Sequence, residues 1–155
     1  MGFFDFLKKA SAPATPAEPT FPLTLAADAK GTVVAMENIP DEVFAQGILG
    51  KCCGIEPTEG KVFAPVDGEI TQAPDSGHAL GIMGVSGVEV LIHVGVDTVE
   101  MKGDGFSPKV KEGDKVKKGD LLLEMDLDKI AAAGHPAVVI TVVTNTDDFK
   151  DVEVV

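Results

Sequence analysis

Arginine, tryptophan and tyrosine are absent from this 155-residue chain, and each absence removes a class of function. Without arginine there is no bidentate guanidinium fork to clamp a phosphate or carboxylate, so any such clamp must come from a partner. Without tryptophan and tyrosine, those rings cannot build a stacking platform for single-stranded nucleic acid. Net charge is −12, which repels phosphate backbones, disfavours nucleic acid and suits a basic partner protein. No apolar run approaches the roughly 20 residues that span a bilayer. Cysteine is confined to the adjacent Cys52 and Cys53. Neighbours rarely pair as a disulfide and nothing else indicates an oxidising compartment, so the expectation is a reduced, cytoplasmic protein. What is present is ordinary for a globular chain: 45% hydrophobic residues and enough length for one domain with a core of its own.

Three segments differ in texture. Residues 1–10, "MGFFDFLKKA", place Phe3, Phe4, Phe6 and Leu7 near helical spacing ahead of Lys8 and Lys9. The apolar part is too short and too interrupted for a signal peptide, and Phe6 breaks the myristoylation pattern. Two readings stay open: an amphipathic foot on a membrane surface, or a disordered terminus with sticky residues. Residues 11–22 carry Pro13, Pro16, Pro19 and Pro22 at every third position, the period of an extended polyproline spacer. Residues 23–155 form the folded domain.

Within that domain, short Val- and Ile-rich runs alternate with Gly, Pro and Asp, as in "GTVVAM", "KVFAPVDGEI", "VEVLIHVGV", "PKVKEGDKVKKGDLLLEMD" and "AVVITVVTN". Such spacing predicts an all-β fold, an antiparallel sandwich or barrel. Only "PDEVFAQGILG" and "LDKIAAAG" look helical, each briefly, the second closed by Gly134 as a C-terminal cap. A weak repeat is also visible. Ala27-x-x-x-Gly31 matches Ala64-x-x-x-Gly68 at an offset of 37 residues. "PDEVFAQGILG" from Pro40 matches "PDSGHALGIMG" from Pro74 at an offset of 34. This suggests duplicated hairpins, with Phe44 in the register of His78.

The chemistry centres on the histidines. Alternation along "EVLIHVGVDTV" sends Val90, Ile92, Val94 and Val96 to a core face, and Leu91, His93, Gly95 and Asp97 to the other. Burying an imidazole costs free energy unless it finds partners. By periodicity alone, His93 reads first as a core histidine bonded to a neighbour. His78, after a turn that carries Ser76, changes the balance if strand pairing brings the two rings together. Such a pair could ligate a metal, or one imidazole could attack phosphorus while the other donates to the phosphoryl oxygens. His135, after the cap and before Pro136, reads as structural.

"KVFAPVDGEI…GHALGI…GVEVLIHVGVDTVEMKGDGF…VKEGDKVKKGDLLLEMD" closely resembles the glucose-type IIA phosphocarrier domain of the bacterial phosphoenolpyruvate-dependent sugar phosphotransferase system. The resemblance covers nearly everything from Leu23 to Asn145, and "LIHVGVDTV" with "APVDG" is highly specific. It implies an antiparallel sandwich of duplicated hybrid motifs that takes a phosphoryl group from HPr and passes it to a cysteine of a permease IIB domain. On the matching motifs His93 is the phosphorylated residue and His78 the partner imidazole. Ser76 and Asp97 lie beside the phosphoryl group, Phe44 and Ile48 match an apolar rim that meets partners, and the "MGFFDFLKK" tail resembles a membrane-associating one. No cofactor is required, although some relatives' complexes share a regulatory zinc between the two histidines and a partner carboxylate. Ser76 replaces the usual Thr but keeps the hydroxyl. Cys52 and Cys53 stand in a stretch normally free of cysteine, with packing as their first reading and a third metal ligand as their second. "QAPDSGHAL" lacks the aromatics that often flank the partner histidine.

Two other classes compete. "VKEGDKVKKGDLLLEMD" also resembles biotinyl and lipoyl domains, with Met101-Lys102 as the candidate arm, but Gly103 follows where biotinyl domains have Met. A zinc hydrolase would need further ligands, commonly a His-x-His pair, and none occurs.

Overall fold

The computed structural model describes residues 23–149 and 151–152; the tail and spacer expected over 1–22 lie outside them. Among the described residues, ten strands in two antiparallel sheets, with two short α-helices, make the all-β sandwich that the alternating runs predict. In chain order the strands are β1 (Gly31–Val34), β2 (Lys51–Pro57), β3 (Lys61–Phe63), β4 (Gly68–Gln72) and β5 (Ala79–Gly84). There follow β6 (Glu89–Val94), β7 (Phe106–Pro108), β8 (Lys115–Val116), β9 (Leu121–Met125) and β10 (Val139–Val143). The larger sheet runs β1-β2-β10-β6-β5-β4-β8 and the smaller β3-β9-β7. Between them lies the main core, where Val62, Leu122 and Leu123 of the small sheet meet Ile70, Leu80, Ile82, Val90, Ile92 and Val94 of the large one.

The repeat has a structural counterpart. Hairpin β1–β2 flanks the central β10–β6 pair on one side and hairpin β4–β5 flanks it on the other. Gly31 and Gly68, matched in sequence, do the same work in each. A Cβ at Gly31 would lie 1.9 Å from the Glu56 carbonyl oxygen, and one at Gly68 would lie 2.3 Å from that of Met83. Each hairpin closes to this distance only because no side chain intervenes.

The central strands are covered on both faces, so they read as near-continuous apolar runs. Opposite the main core a smaller cluster of Ile39, Phe44, Cys52, Val96, Val138, Ile140 and Val142 packs against the sheet, with Leu91 at its edge. The segment before β2 supplies its lid, including helix α1 (Glu42–Ala45). The helix expected across "PDEVFAQGILG" is thus one turn long. Asp41 caps it, its carboxylate accepting from Val43 N at 2.9 Å, and Gly47 at φ 70° ends it. Helix α2 (Leu127–Ala132) is capped by Asp126. It closes as expected at Gly134, with Gly134 N–H donating to Ala131 O at 2.9 Å and His135 N–H to Ile130 O at 3.2 Å, a Schellman arrangement.

The run "PKVKEGDKVKKGDLLLEMD" is not one strand. Two like turns interrupt it: Lys111 N–H donates to Asp114 Oδ2 at 2.9 Å and Lys117 N–H to Asp120 Oδ2 at 2.8 Å. Lys102, the candidate arm, sits after a 3-10 turn (Thr98–Met101). It stands between β6 and β7, which belong to different sheets, and so is not a hairpin tip.

Candidate active site

Strand β6 presents His93. Its burial pattern alternates as the sequence predicts, with Val90, Ile92 and Val94 inward and His93 half-buried on the far face. The pairing is specific: His93 lies opposite Ala79 of β5 and Ile140 of β10. His78 stands one residue before β5, where its carbonyl accepts the Val94 N–H at 2.7 Å. That backbone bond ties the two histidine-bearing segments together. The imidazoles meet edge to face, centroids 5.2 Å apart at 78°. On its other side His93 meets the Phe44 ring at 5.1 Å and 53°. Phe44 and His78, matched in the repeat, are therefore both ring neighbours of His93.

Each imidazole has one nitrogen committed. His93 Nδ1 lies 2.7 Å from the carbonyl oxygen of Gly95. A carbonyl can only accept, so Nδ1 carries the proton and Nε2 keeps its lone pair. His78 Nδ1 lies 2.6 Å from Ser76 Oγ. When the hydroxyl donates, His78 holds its proton on Nε2 and becomes a donor.

Burial pulls the His93 pKa below its ordinary 6.5, while the Gly95 bond and the carboxylates of Asp41 and Asp97 work the other way. Burial, and then the neighbouring His93, lower His78 likewise. Both shifts favour the neutral ring, which is the major form of each at pH 7 and above.

Asp97 reaches this neighbourhood by a route that strand alternation does not describe. Strand β6 stops at Val94, and Gly95 and Asp97 turn at φ 78° and 60°. The same turn moves Val96 from the predicted core face into the smaller cluster. Asp41, the cap of α1, is a second carboxylate near His93 that the sequence reading missed; the cap signal in "PDE" was its only trace. Of the two expected rim residues, Phe44 is a buried wall, 6% exposed, whereas Ile48 is 64% exposed.

The cysteines point to opposite faces of β2. Cys52 is buried in the smaller cluster and its thiol donates to the Phe44 carbonyl at 3.3 Å, so it packs beneath the ring that walls His93. Burial pushes its pKa up to about 11, with Cys53 adding to the effect. Cys53 pairs with Thr141 across the sheet, and its pKa is raised by burial and then by Asp28. Asp28, also missed, is 1% exposed. It accepts from the Thr141 hydroxyl and leaves Oδ1 unpartnered among the described residues. Among those residues no three His, Cys, Asp or Glu side chains group to hold a metal. The two histidines supply two free nitrogens at most, and a zinc there would need its remaining ligands from a partner.

Two sheets around one core, with His93 on a strand of the larger sheet and His78 just before the neighbouring strand, define a β-sandwich domain that carries a histidine pair on one face. The chain belongs to the phosphoenolpyruvate-dependent sugar phosphotransferase system EIIA 1 family, whose model matches residues 23–149. It is 44% identical over 130 residues to a glucose-specific EIIA component of Bacillus cereus, covering 84% of this chain and 79% of that one. It is 45% identical over 130 residues to a beta-glucoside-specific EIIBCA component of Dickeya chrysanthemi, covering 84% of this chain. The chain spans about a fifth of the length of the beta-glucoside-specific relatives it matches. Its fold superimposes on the glucose permease IIA from Mycoplasma capricolum with a TM-score of 0.78 and 35% identity, covering 86% of each chain. Among the described residues, no helix is long and apolar enough to cross a membrane.

Proposed function

We propose that this chain is a phosphocarrier of the sugar phosphotransferase system, holding the phosphoryl group on Nε2 of His93. The observation that carries the reading is the bond from Nδ1 to the Gly95 carbonyl at 2.7 Å, which leaves Nε2 as the nucleophile. In the loading step the Nε2 lone pair bonds to phosphorus of the phosphohistidine on HPr. The donor's N–P bond breaks, and its electron pair returns to the donor ring. In the unloading step a IIB cysteine thiolate attacks the same phosphorus, and the pair of the breaking bond returns to Nε2 of His93. In-line positioning and charge stabilisation are what such a transfer requires.

His78, with the Ser76 hydroxyl donating to its Nδ1, offers an Nε2–H to a phosphoryl oxygen. Exposed Ile48 provides apolar surface for partners, and Asp41 and Asp97 attract their cations. The chain supplies no arginine, so guanidinium groups would come from HPr and IIB. The reaction needs no cofactor. The setting is cytoplasmic.

The test is phosphorylation by phosphoenolpyruvate, enzyme I and HPr, read by intact mass before and after brief acid treatment. One acid-labile phosphoryl group is expected, lost in His93→Ala. His78→Gln should still accept the group but pass it to IIB slowly. Normal labelling of His93→Ala overturns the assignment.

A further inference from the structure

The bond between His93 Nδ1 and the Gly95 carbonyl needs that carbonyl to be held in place, and the described fold shows what holds it. Gly95 lies in the turn that ends β6, at φ 78°. Its N–H donates to Val138 O at 2.7 Å, and the next N–H, of Val96, donates to Pro136 O at 3.1 Å. These bonds anchor the turn from the side of the segment leading into β10. On the other side stands Thr98, whose side chain is fully buried. Its hydroxyl donates to the carbonyl of Val94, the last residue of β6. Its methyl fills the space beside Gly95, where an added Cβ would come within 2.5 Å of it.

Val94 is thereby gripped at both ends: its N–H by the His78 carbonyl at 2.7 Å, its C=O by Thr98. A buried threonine hydroxyl usually satisfies one nearby carbonyl and does nothing more. Here the carbonyl it fixes belongs to the peptide unit shared by Val94 and Gly95. The next carbonyl along the chain is the one His93 uses.

We propose that Thr98 is a positioning residue for His93: its hydroxyl locks the Val94–Thr98 turn so that the Gly95 carbonyl holds the imidazole in the Nδ1–H tautomer. The inference rests on the phosphocarrier reading for its meaning, but not for its measurement. Which ring nitrogen carries the proton is set by the bond the other one makes. Without a fixed acceptor, His93 samples the Nε2–H form as well, in which the nucleophilic lone pair is lost.

The test uses the full chain with nitrogen-15-labelled histidine, comparing wild type, Thr98→Val and Thr98→Ser by imidazole nitrogen shifts at pH 8 and by the rate of phosphoryl acceptance from phospho-HPr. Wild type should show one His93 tautomer, with the proton on Nδ1. Thr98→Val, which keeps the shape and removes the donor, should show a mixture and accept about fivefold more slowly, the effect of one ordinary hydrogen bond. Thr98→Ser keeps the donor and should restore both readouts. An unmixed tautomer in Thr98→Val overturns the proposal, as does a mixture in Thr98→Ser. Should Thr98→Val fail to fold, Thr98→Ser alone decides, since it must keep the tautomer. Were wild-type protein to show the tautomer but take no label, the phosphocarrier reading would fail while this one stood.

Discussion

Asp28 should make this protein less stable as pH rises from acid to neutral, and replacing it should remove that loss. Burial raises its carboxyl from an ordinary 3.8 to about 6, against the smaller opposing effect of the Thr141 hydroxyl. The folded state therefore binds a proton more tightly than the unfolded chain does. For a raised carboxyl the contribution is fully present below 3.8 and is lost as pH climbs through about 6. A shift of that size corresponds to about 3 kcal/mol in all, of which roughly half falls between pH 5 and pH 8. Asp28→Asn keeps the shape and cannot ionise. It leaves amide hydrogens buried near the present Oδ1, a cost of about 1–3 kcal/mol that does not vary with pH. The informative quantity is therefore the variant's stability minus that of wild type, from urea unfolding at a series of pH values above the sequence pI of about 4.5. Subtraction cancels the titrating groups that do not interact with Asp28, and Cys53, which does, has its pKa raised from 9.0, above this range. The difference should shift in favour of Asp28→Asn by about 1.5 kcal/mol from pH 5 to pH 8. A flat difference, or one that falls with pH, refutes the reasoning.

Because burial lowers the His93 pKa below 6.5, phosphoryl acceptance should hold level above pH 7 and fall in acid with a midpoint below 6.5; a midpoint above it, in a pH–rate profile, counts against a buried nucleophile. Gly95→Ala should lose about 3 kcal/mol in urea unfolding, from left-handed backbone strain and overpacking together. The new Cβ would sit 2.5 Å from the Thr98 methyl and 2.8 Å from Pro136 O, and wild-type stability would show that the turn yields. Cys52, with its pKa pushed up to about 11, should react with a disulfide reagent at pH 8 on the order of 100-fold more slowly folded than unfolded. Equal rates would place the thiol in solvent.

The strands were legible wherever the alternation was unbroken. From Glu89 to Val94 one face is more polar than the other, and burial alternates residue by residue as the sequence predicts. Legibility ended where a positive φ turned the chain: Val96 was assigned to the wrong apolar surface because nothing in "HVGVD" shows that Gly95 departs from the strand. The turns at Lys111–Asp114 and Lys117–Asp120 fall where the segment carries its two Gly-Asp pairs, at Gly113 and Gly119. At the site, the histidines stood out as polar residues inside apolar runs. Asp28 has the same signature in "LTLAADA", but no motif surrounds it to single it out. Thr98 gave no signal, since threonine is common in strands and turns alike. Its significance lies in a bond to Val94 that only the folded turn creates.

The committed Nδ1 proton also bears on how firmly the group is stored. When Nε2 bonds to phosphorus and Nδ1 keeps its hydrogen for the Gly95 carbonyl, the ring becomes cationic. A cationic ring departs from phosphorus more readily than a neutral one, because it leaves as a stable neutral imidazole. Asp41 and Asp97 favour that positive charge. In the proposed carrier, one backbone carbonyl would serve both halves of the cycle, exposing the lone pair that loads the ring and priming the loaded ring to let go.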